Sequence, residues 1–308
     1  EIKRKTSVQT SLIPCPWFGN KINFLDTPGY DDFSCDVVAA LKVVEGAIIV
    51  VSGTSGVEVG TERSWQRCQE SGIPRMFFIN KLDRENSNFY TTLKGIQDTF
   101  GNGCVPLQLP IGYESEFKGV VDLLNLPDDI PGDVAEEVNE WRERLIEAIA
   151  ESDDGLATKY LEGESISDEE LGTALRQAIF SGKISPILNG SAVGNLGIEE
   201  LLNMTVSNMP SPAEVQKYYV ENETPIDPTS DGSLAAFVFK TTADPFVGKL
   251  SLFRVYSGTI KANSEVWNQA KQQIERIGQV FSLKGKTQEQ VQSVSAGDIG
   301  AVSKLTST

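Results

Sequence analysis

Arg75-Met-Phe-Phe-Ile-Asn-Lys-Leu-Asp83 is the stretch from which the fold is read. Its apolar run, Met76 to Ile79, is too short for a helix and stops at a polar tetrad, the signature of a buried strand feeding a loop. Similar runs stand at Ile22 to Leu25, Ala47 to Val51 and Pro186 to Leu188. Helical candidates lie between them, near Asp36 to Val44, Glu62 to Ser71 and Tyr90 to Phe100. Short strands alternating with helices predict an α/β fold with a parallel sheet covered on both faces. Ligands of such sheets bind at the carboxyl ends of the strands. Motifs at those ends are therefore predicted to meet in space.

Three such motifs occur. Asn80-Lys81-Leu82-Asp83 follows the run just quoted. One carboxylate there can accept two hydrogen bonds from guanine, from N1–H and from the 2-amino group. Adenine offers neither, and a site left unpaired in that way discriminates by roughly 10⁴. The Asn80 amide can hold the other edge of the base, and the Lys81 stem can pack on its face. The plainer reading is an exposed polar loop after a strand.

Asp26-Thr27-Pro28-Gly29 follows Ile-Asn-Phe-Leu. A carboxylate at a strand end can hold Mg²⁺, usually through water, and a glycine lets backbone N–H approach a phosphate. The plainer reading is a turn, since Pro-Gly is a turn dipeptide. Gly190-Ser191-Ala192 follows Ser-Pro-Ile-Leu-Asn, where small residues would let backbone N–H groups reach the guanine carbonyl. The third motif gains meaning only from its order after the other two.

Composition narrows the chemistry. The 308 residues suggest about two domains, and 40% hydrophobic residues suffice for buried cores. Histidine is absent, which excludes His proton shuttles, Ser-His-Asp triads and His metal ligands. The net charge of −16 argues against coating nucleic acid by bulk charge, though not against a local RNA contact. Cys15, Cys35, Cys68 and Cys104 have no C-x-x-C spacing and read as reduced thiols of a cytoplasmic protein. No apolar stretch is long enough to span a bilayer, and neither membrane nor DNA is an expected partner.

Residues 133 to 151 form an amphipathic pattern in which Val134, Val138, Trp141, Leu145 and Ile149 recur at steps of three or four. Ser167-Asp-Glu-Glu170 supplies an N-cap and capping box for a further helix. This helical block interrupts the strand–helix alternation and reads as an insert. Residues 133 to 170 hold 14 acids and 3 bases, a net of −11 of the −16, so the acidity belongs mainly to the insert. Met209-Pro-Ser-Pro212 closes the pattern, and residues 211–232 read as a linker. Short strands then follow at Leu234 to Phe239, Leu250 to Tyr256, Ile274 to Phe281 and Ile299 to Val302, which predict a small β-barrel. Residues 213 to 308 hold 10 acids and 10 bases, a neutral surface free to meet RNA locally.

D-x-x-G, N-K-x-D and S-A in this order resemble the motifs of a GTPase G domain. Leu25-Asp-Thr-Pro-Gly-Tyr-Asp-Asp-Phe33 resembles switch II of translational GTPases. Gly56-Val-Glu-Val-Gly-Thr-Glu62, Ile79-Asn-Lys-Leu-Asp-Arg84, Gln108-Leu-Pro-Ile-Gly112 and Phe117-Lys-Gly-Val-Val-Asp122 are similar to the elongation factor G family. So are Asp244-Pro-Phe-Val-Gly-Lys-Leu250, Arg254-Val-Tyr-Ser-Gly258, Glu275-Arg-Ile-Gly278 and Ala296-Gly-Asp-Ile-Gly-Ala-Val302. The resemblance implies a P-loop-GTPase-type sheet with a helical insert, followed by an all-β translation-factor barrel. The G domain would be 1–112 and 185–210, the inserted subdomain 113–184, the linker 211–232 and the barrel domain II 233–308. It implies GTP or GDP with Mg²⁺ as ligand. The nucleotide would be bound by Asp26, Thr27, Pro28, Gly29, Asn80, Lys81, Asp83, Ser191 and Ala192. It implies a monomer that docks at the ribosomal factor site, on rRNA and ribosomal proteins, and couples GTP hydrolysis to tRNA and mRNA movement.

The sequence departs from that pattern in three places. No G-x-x-x-x-G-K-[ST] occurs. Arg4-Lys-Thr-Ser-Val8 resembles the end of switch I, so the chain would start inside it, without the phosphate loop and without the domains that follow the barrel. Ser7 would stand for a threonine whose hydroxyl binds Mg²⁺, and a plain charged N-terminal strand is the other reading. Such a fragment is expected to bind GTP poorly and not to hydrolyse it. Second, Tyr30 stands where most of the family has the His that orients the attacking water. A tyrosine hydroxyl can hydrogen-bond a water but is a poor proton carrier at neutral pH. A rim aromatic with no mechanistic role is the alternative. Third, the insert is short. In the family it meets the acidic stalk protein of the large subunit, so its acidic face reads as solvated. The runner-up function is an elongation-factor-G-like paralogue with slow or regulatory turnover, acting as a ribosome-binding switch.

Overall fold

Ser11–Trp17 (β1) and Asn20–Asp26 (β2) form an antiparallel hairpin, from Ser11 opposite Asp26 to Trp17 opposite Asn20. The turn residues Phe18 and Gly19 both take positive φ, 42° and 77°, which suits the twist of a two-residue hairpin. The strand β1 carries Pro14 and Pro16, which pass the missing N–H groups to one edge of the strand. Ser34–Leu41 (α1) follows through a short 3₁₀ turn at Asp31–Phe33.

The computed structural model describes residues 6–130, 132, 134–215, 217–218, 225–244 and 248–308. Arg4 and Lys5 of the opening motif lie outside the described residues. So do Asp133 of the amphipathic pattern, part of the linker, and Pro245-Phe-Val247 of the barrel motif.

Next come Ala47–Ser52 (β3), Val59–Glu70 (α2), Arg75–Asn80 (β4), Phe89–Phe100 (α3) and Cys104–Pro106 (β5). Gln108–Ile111 (β6) and Gly119–Asp122 (β7) make a hairpin, and Ala135–Glu151 (α4), Asp154–Glu162 (α5) and Asp168–Phe180 (α6) follow. Ser185–Asn189 (β8) and Ile198–Asn208 (α7) complete this part. The sheet is parallel in the order β3-β4-β8-β5. Met76, Phe77 and Ile79 of β4, Leu93 and Ile96 of α3, Leu145 and Ile149 of α4 and Leu175 of α6 are wholly buried in one continuous core. Each such side chain contributes about 1.5–3 kcal/mol by leaving water. The predicted capping box is present: Ser167 Oγ accepts from the Glu170 amide while Glu170 accepts from the Ser167 amide. On α4, Val138, Leu145 and Ile149 are buried while Glu136, Glu140, Glu143 and Glu147 face water, as the 3.6-residue period requires.

Two-residue strands at Lys217–Tyr218 (β9) and Pro225–Ile226 (β10) pair within the predicted linker. Ala235–Asp244 (β11), Gly248–Ser257 (β12), Thr259–Lys261 (β13), Glu265–Asn268 (β14), Gln273–Arg276 (β15), Val280–Lys284 (β16), Thr287–Val291 (β17), Ser293–Ser295 (β18) and Ile299–Ser303 (β19) make the all-β part. Its main sheet runs β11-β12-β19-β16-β17 and is antiparallel throughout. The run read as one strand, Ile274 to Phe281, is two. The Ile277 N–H bonds to Ser264 O and the Gly278 carbonyl accepts from Asn263, so the chain leaves β15 before entering β16.

By compactness, residues 1–45 group with 211–308, and residues 46–210 form a second unit. One expectation is corrected here. Among the described residues the Ile22 to Leu25 run pairs only with β1, in an antiparallel ladder, and is not one of the four strands of the parallel sheet. Within the first unit this hairpin lies on the barrel: Leu12 and Leu25 pack with Leu250, Leu252, Phe281 and Leu283. Lys21 and Asn23 both donate to Asp298, at 2.7 and 2.8 Å.

Candidate nucleotide-binding site

In the second unit the sheet brings the second and third motifs together. The strands β4 and β8 are neighbours with Ile79 opposite Asn189, so Asn80 and Gly190 leave the sheet side by side. The loops are then sewn to each other. The Gly190 N–H donates to Ile79 O at 2.9 Å, and the Leu82 N–H donates to Gly190 O at 3.2 Å. A Cβ on Gly190 would lie 2.2 Å from Leu196 O and 2.9 Å from Phe78 Cζ, so only glycine fits there.

The Asn80 side chain completes the join. Its Oδ1 accepts from the Lys81 amide at 2.7 Å and from the Ala192 amide at 2.9 Å. With Oδ1 so engaged, Nδ2 is the atom left to donate outward. Lys81 is held at φ 67°, a left-handed conformation uncommon for a lysine, and strain of this kind collects at ligand sites. Leu82 is buried and anchors the loop, while Ser87 Oγ donates to Leu82 O at 2.9 Å. Gly53, just past β3, donates to Asn80 O at 2.8 Å and accepts from the Asn88 amide at 2.9 Å. No local spacing in the sequence had singled Gly53 out.

The Asp83 side chain is 28% exposed, with Arg84 Nε 3.9 Å from its Oδ2. It therefore keeps acceptor capacity for a ligand. Ser191 is fully buried, and its Oγ accepts from the Gly194 amide at 3.0 Å while its own amide donates to Leu196 O at 2.9 Å. The Ser191 and Ala192 amides, expected to reach the base, thus donate within the protein in this structure. Ser191 builds the turn, and Ala192, exposed, presents it.

The first motif lies in the first unit. Asp26 ends β2, and Ser7 Oγ donates to its Oδ2 at 2.9 Å on an exposed surface. Two oxygens so placed suit a hard cation that takes few protein ligands and keeps its waters. Among the described residues no cluster of three or more acidic or cysteine side chains offers an all-protein metal cage. Gly29 is exposed, does not take left-handed φ, and a Cβ there would meet nothing within 4 Å. Neither left-handed backbone nor packing requires glycine at that position. Tyr30 is 62% exposed, and its carbonyl accepts from the Phe33 amide at 3.0 Å to start the 3₁₀ turn.

Three residues that sequence reasoning missed stand behind this loop. Asp36 Oδ2 accepts from the Thr10 amide at 2.6 Å, from Thr10 Oγ1 at 3.2 Å and from Lys240 Nζ at 2.7 Å. They are far apart in sequence, and no motif links them.

Comparison with known proteins gives matches along nearly the whole chain. Residues 1–211 match the model of the elongation factor Tu GTP binding domain. Residues 233–308 match elongation factor G domain 2. A crystal structure of a protein from Thermus thermophilus is similar at a TM-score of 0.84 and 30% identity, covering 98% of this chain. The match spans 45% of the Thermus chain, so this chain corresponds to under half of that protein's length. Among the described residues no helix is long and apolar enough to cross a membrane.

Proposed function

The chain belongs to the elongation factor G family of translational GTPases, and we propose that its full-length protein hydrolyses GTP on the ribosome to drive tRNA and mRNA movement. The G domain of this proposal is 1–112 and 185–210, with 113–184 inserted and 233–308 as the barrel. The protein would act as a cytoplasmic monomer docked on rRNA and ribosomal proteins.

The observation that carries the reading is the Asn80 tie to Ala192. It supports a site in which Asn80 Nδ2 would present one donor and the Asp83 carboxylate a pair of acceptors. Guanine has the complement: an acceptor on the five-membered ring, and donors at N1 and the 2-amino group. Adenine would leave Asp83 unpaired, at a cost of several kcal/mol. Lys81 would lay its stem along the base, and the Ala192 amide, which donates to Asn80 Oδ1, would hold Asn80 in place beside it.

Ser7 and Asp26 fit Mg²⁺ by their oxygen pair, with Asp26 acting through water. When bound, GTP supplies the transferable phosphoryl group and Mg²⁺ neutralises its charge. Thr27, Pro28 and Gly29 would shape the backbone that approaches the γ-phosphate, and Tyr30 would orient the attacking water by its hydroxyl. A phenol holds a water but is a weaker proton carrier at neutral pH than an imidazole. Tyr30 therefore favours a second reading, in which turnover is slow and the protein serves as a ribosome-binding switch. Nucleotide binding by the full-length protein tests the base site: GDP binding not competed by ADP supports it, and equal competition refutes it.

A further inference from the structure

The segment from Thr27 to Cys35, which carries Gly29 and Tyr30, stands on two feet. On entry, Asp26 pairs with Ser11 in the hairpin ladder. On exit, Asp36, in the first turn of α1, accepts both the amide and the hydroxyl of Thr10. Thr10 and Ser11 are consecutive, so the loop is closed at its base.

A third group grips the same oxygen. Lys240 Nζ lies 2.7 Å from Asp36 Oδ2, with side-chain exposures of 12% for Lys240 and 19% for Asp36. Lys240 comes from β11 at a break in register between Val238 and Lys240, where Phe239 is the extra residue. Bulges of this kind re-aim a side chain, and here the neighbouring Phe239 turns into the apolar cluster shared with Leu12 and Leu25. Burial acts to raise the Asp36 carboxyl, but Lys240 and Thr10 outweigh it and hold it below the usual carboxylate range.

We propose that Asp36, gripped by Lys240 and Thr10, is the positioning residue that sets where Gly29 and Tyr30 stand, and that through Lys240 the barrel holds the loop in place. The part concerning Tyr30 rests on the function proposed above. Neither Asp36 nor Lys240 touches nucleotide; both act through the loop. A displacement of β11 would then reach Tyr30 through one ion pair.

The test compares Lys240→Met and Lys240→Arg with wild type in the full-length protein. Peptide-resolved hydrogen exchange should be about tenfold faster over residues 27–35 in Lys240→Met, as a local opening loses its latch. Exchange over β16 and β19 should be unchanged, and Lys240→Arg should restore the loop. Equal loop exchange in all three proteins, or an equal rise throughout the barrel, overturns the proposal. Ribosome-stimulated GTP turnover adds the second readout: kcat should fall about tenfold in Lys240→Met with KM unchanged. A looser loop with unaltered kcat overturns the positioning of Tyr30. Absence of turnover in wild type would count against the proposed function, and the exchange result would still decide the latch.

Discussion

Asn80 Oδ1 and the Ala192 amide nitrogen are 2.9 Å apart, joining loops 112 residues apart in sequence. The parallel pairing of β4 and β8 makes this contact possible. Removing the acceptor leaves the Lys81 and Ala192 amides unpaired. Asn80→Ala should therefore lower stability by about 1 kcal/mol and speed exchange at the Ala192 amide. A melt and an exchange profile matching wild type would show that the tie is incidental.

Asp83→Asn replaces one acceptor of the carboxylate with a donor. Guanine then meets a donor opposite its own 2-amino group, whereas xanthine offers a carbonyl there. The full-length variant should lose guanine nucleotide affinity by on the order of 10⁴-fold and bind xanthosine diphosphate instead. Retained GDP affinity would remove Asp83 from the base site.

The 308-residue chain contains no G-x-x-x-x-G-K-[ST] loop. That loop supplies most backbone donors and the lysine for the β and γ phosphates in GTPases. Titrated with a fluorescent GTP analogue, this chain should bind weakly and show no turnover. Micromolar, Mg²⁺-dependent binding would refute this.

Tyr30→His in the full-length protein restores an imidazole whose pKa lies near neutrality. Ribosome-stimulated hydrolysis should become faster. An unaltered rate would make Tyr30 a rim aromatic with no part in the chemistry.

Glu275 is buried in the barrel, where burial raises its carboxyl. Hydrogen bonds from Thr308, Asn268 and the Ser307 and Thr308 amides prevail and bring it to about 2. A carboxyl lowered on folding contributes stability that is present above its ordinary value of 4.5 and is lost as pH falls toward 2. Acid unfolding curves of wild type and Glu275→Gln should therefore converge across that window. Parallel curves would mean that Glu275 has no such linkage.

Much of this was legible in the sequence because local periodicity carried it. The runs at Ala47, Met76 and Pro186 became the strands β3, β4 and β8, and Ser167 with Glu170 capped α6 as written. The strand β1 was hidden by Pro14 and Pro16, which read as breakers but are tolerated in a strand paired on one side. The short helix α5 was lost inside an acidic run, although Asp153 caps it by accepting from Gly155 and Leu156. The place of β2 was misread because an apolar run states that a strand is buried, not which strand it pairs with. Asp36 and Lys240 carry no signal at all in one dimension. Their meeting depends on a hairpin, a helix turn and a bulge that together bring positions 204 apart within 2.7 Å.

GTP turnover by the full-length protein, measured with and without ribosomes and repeated with ATP, bears most directly on the central claim. The account predicts hydrolysis of GTP that rises on adding ribosomes, with ATP left intact. Turnover indifferent to ribosomes, or ATP consumed as readily as GTP, would contradict it.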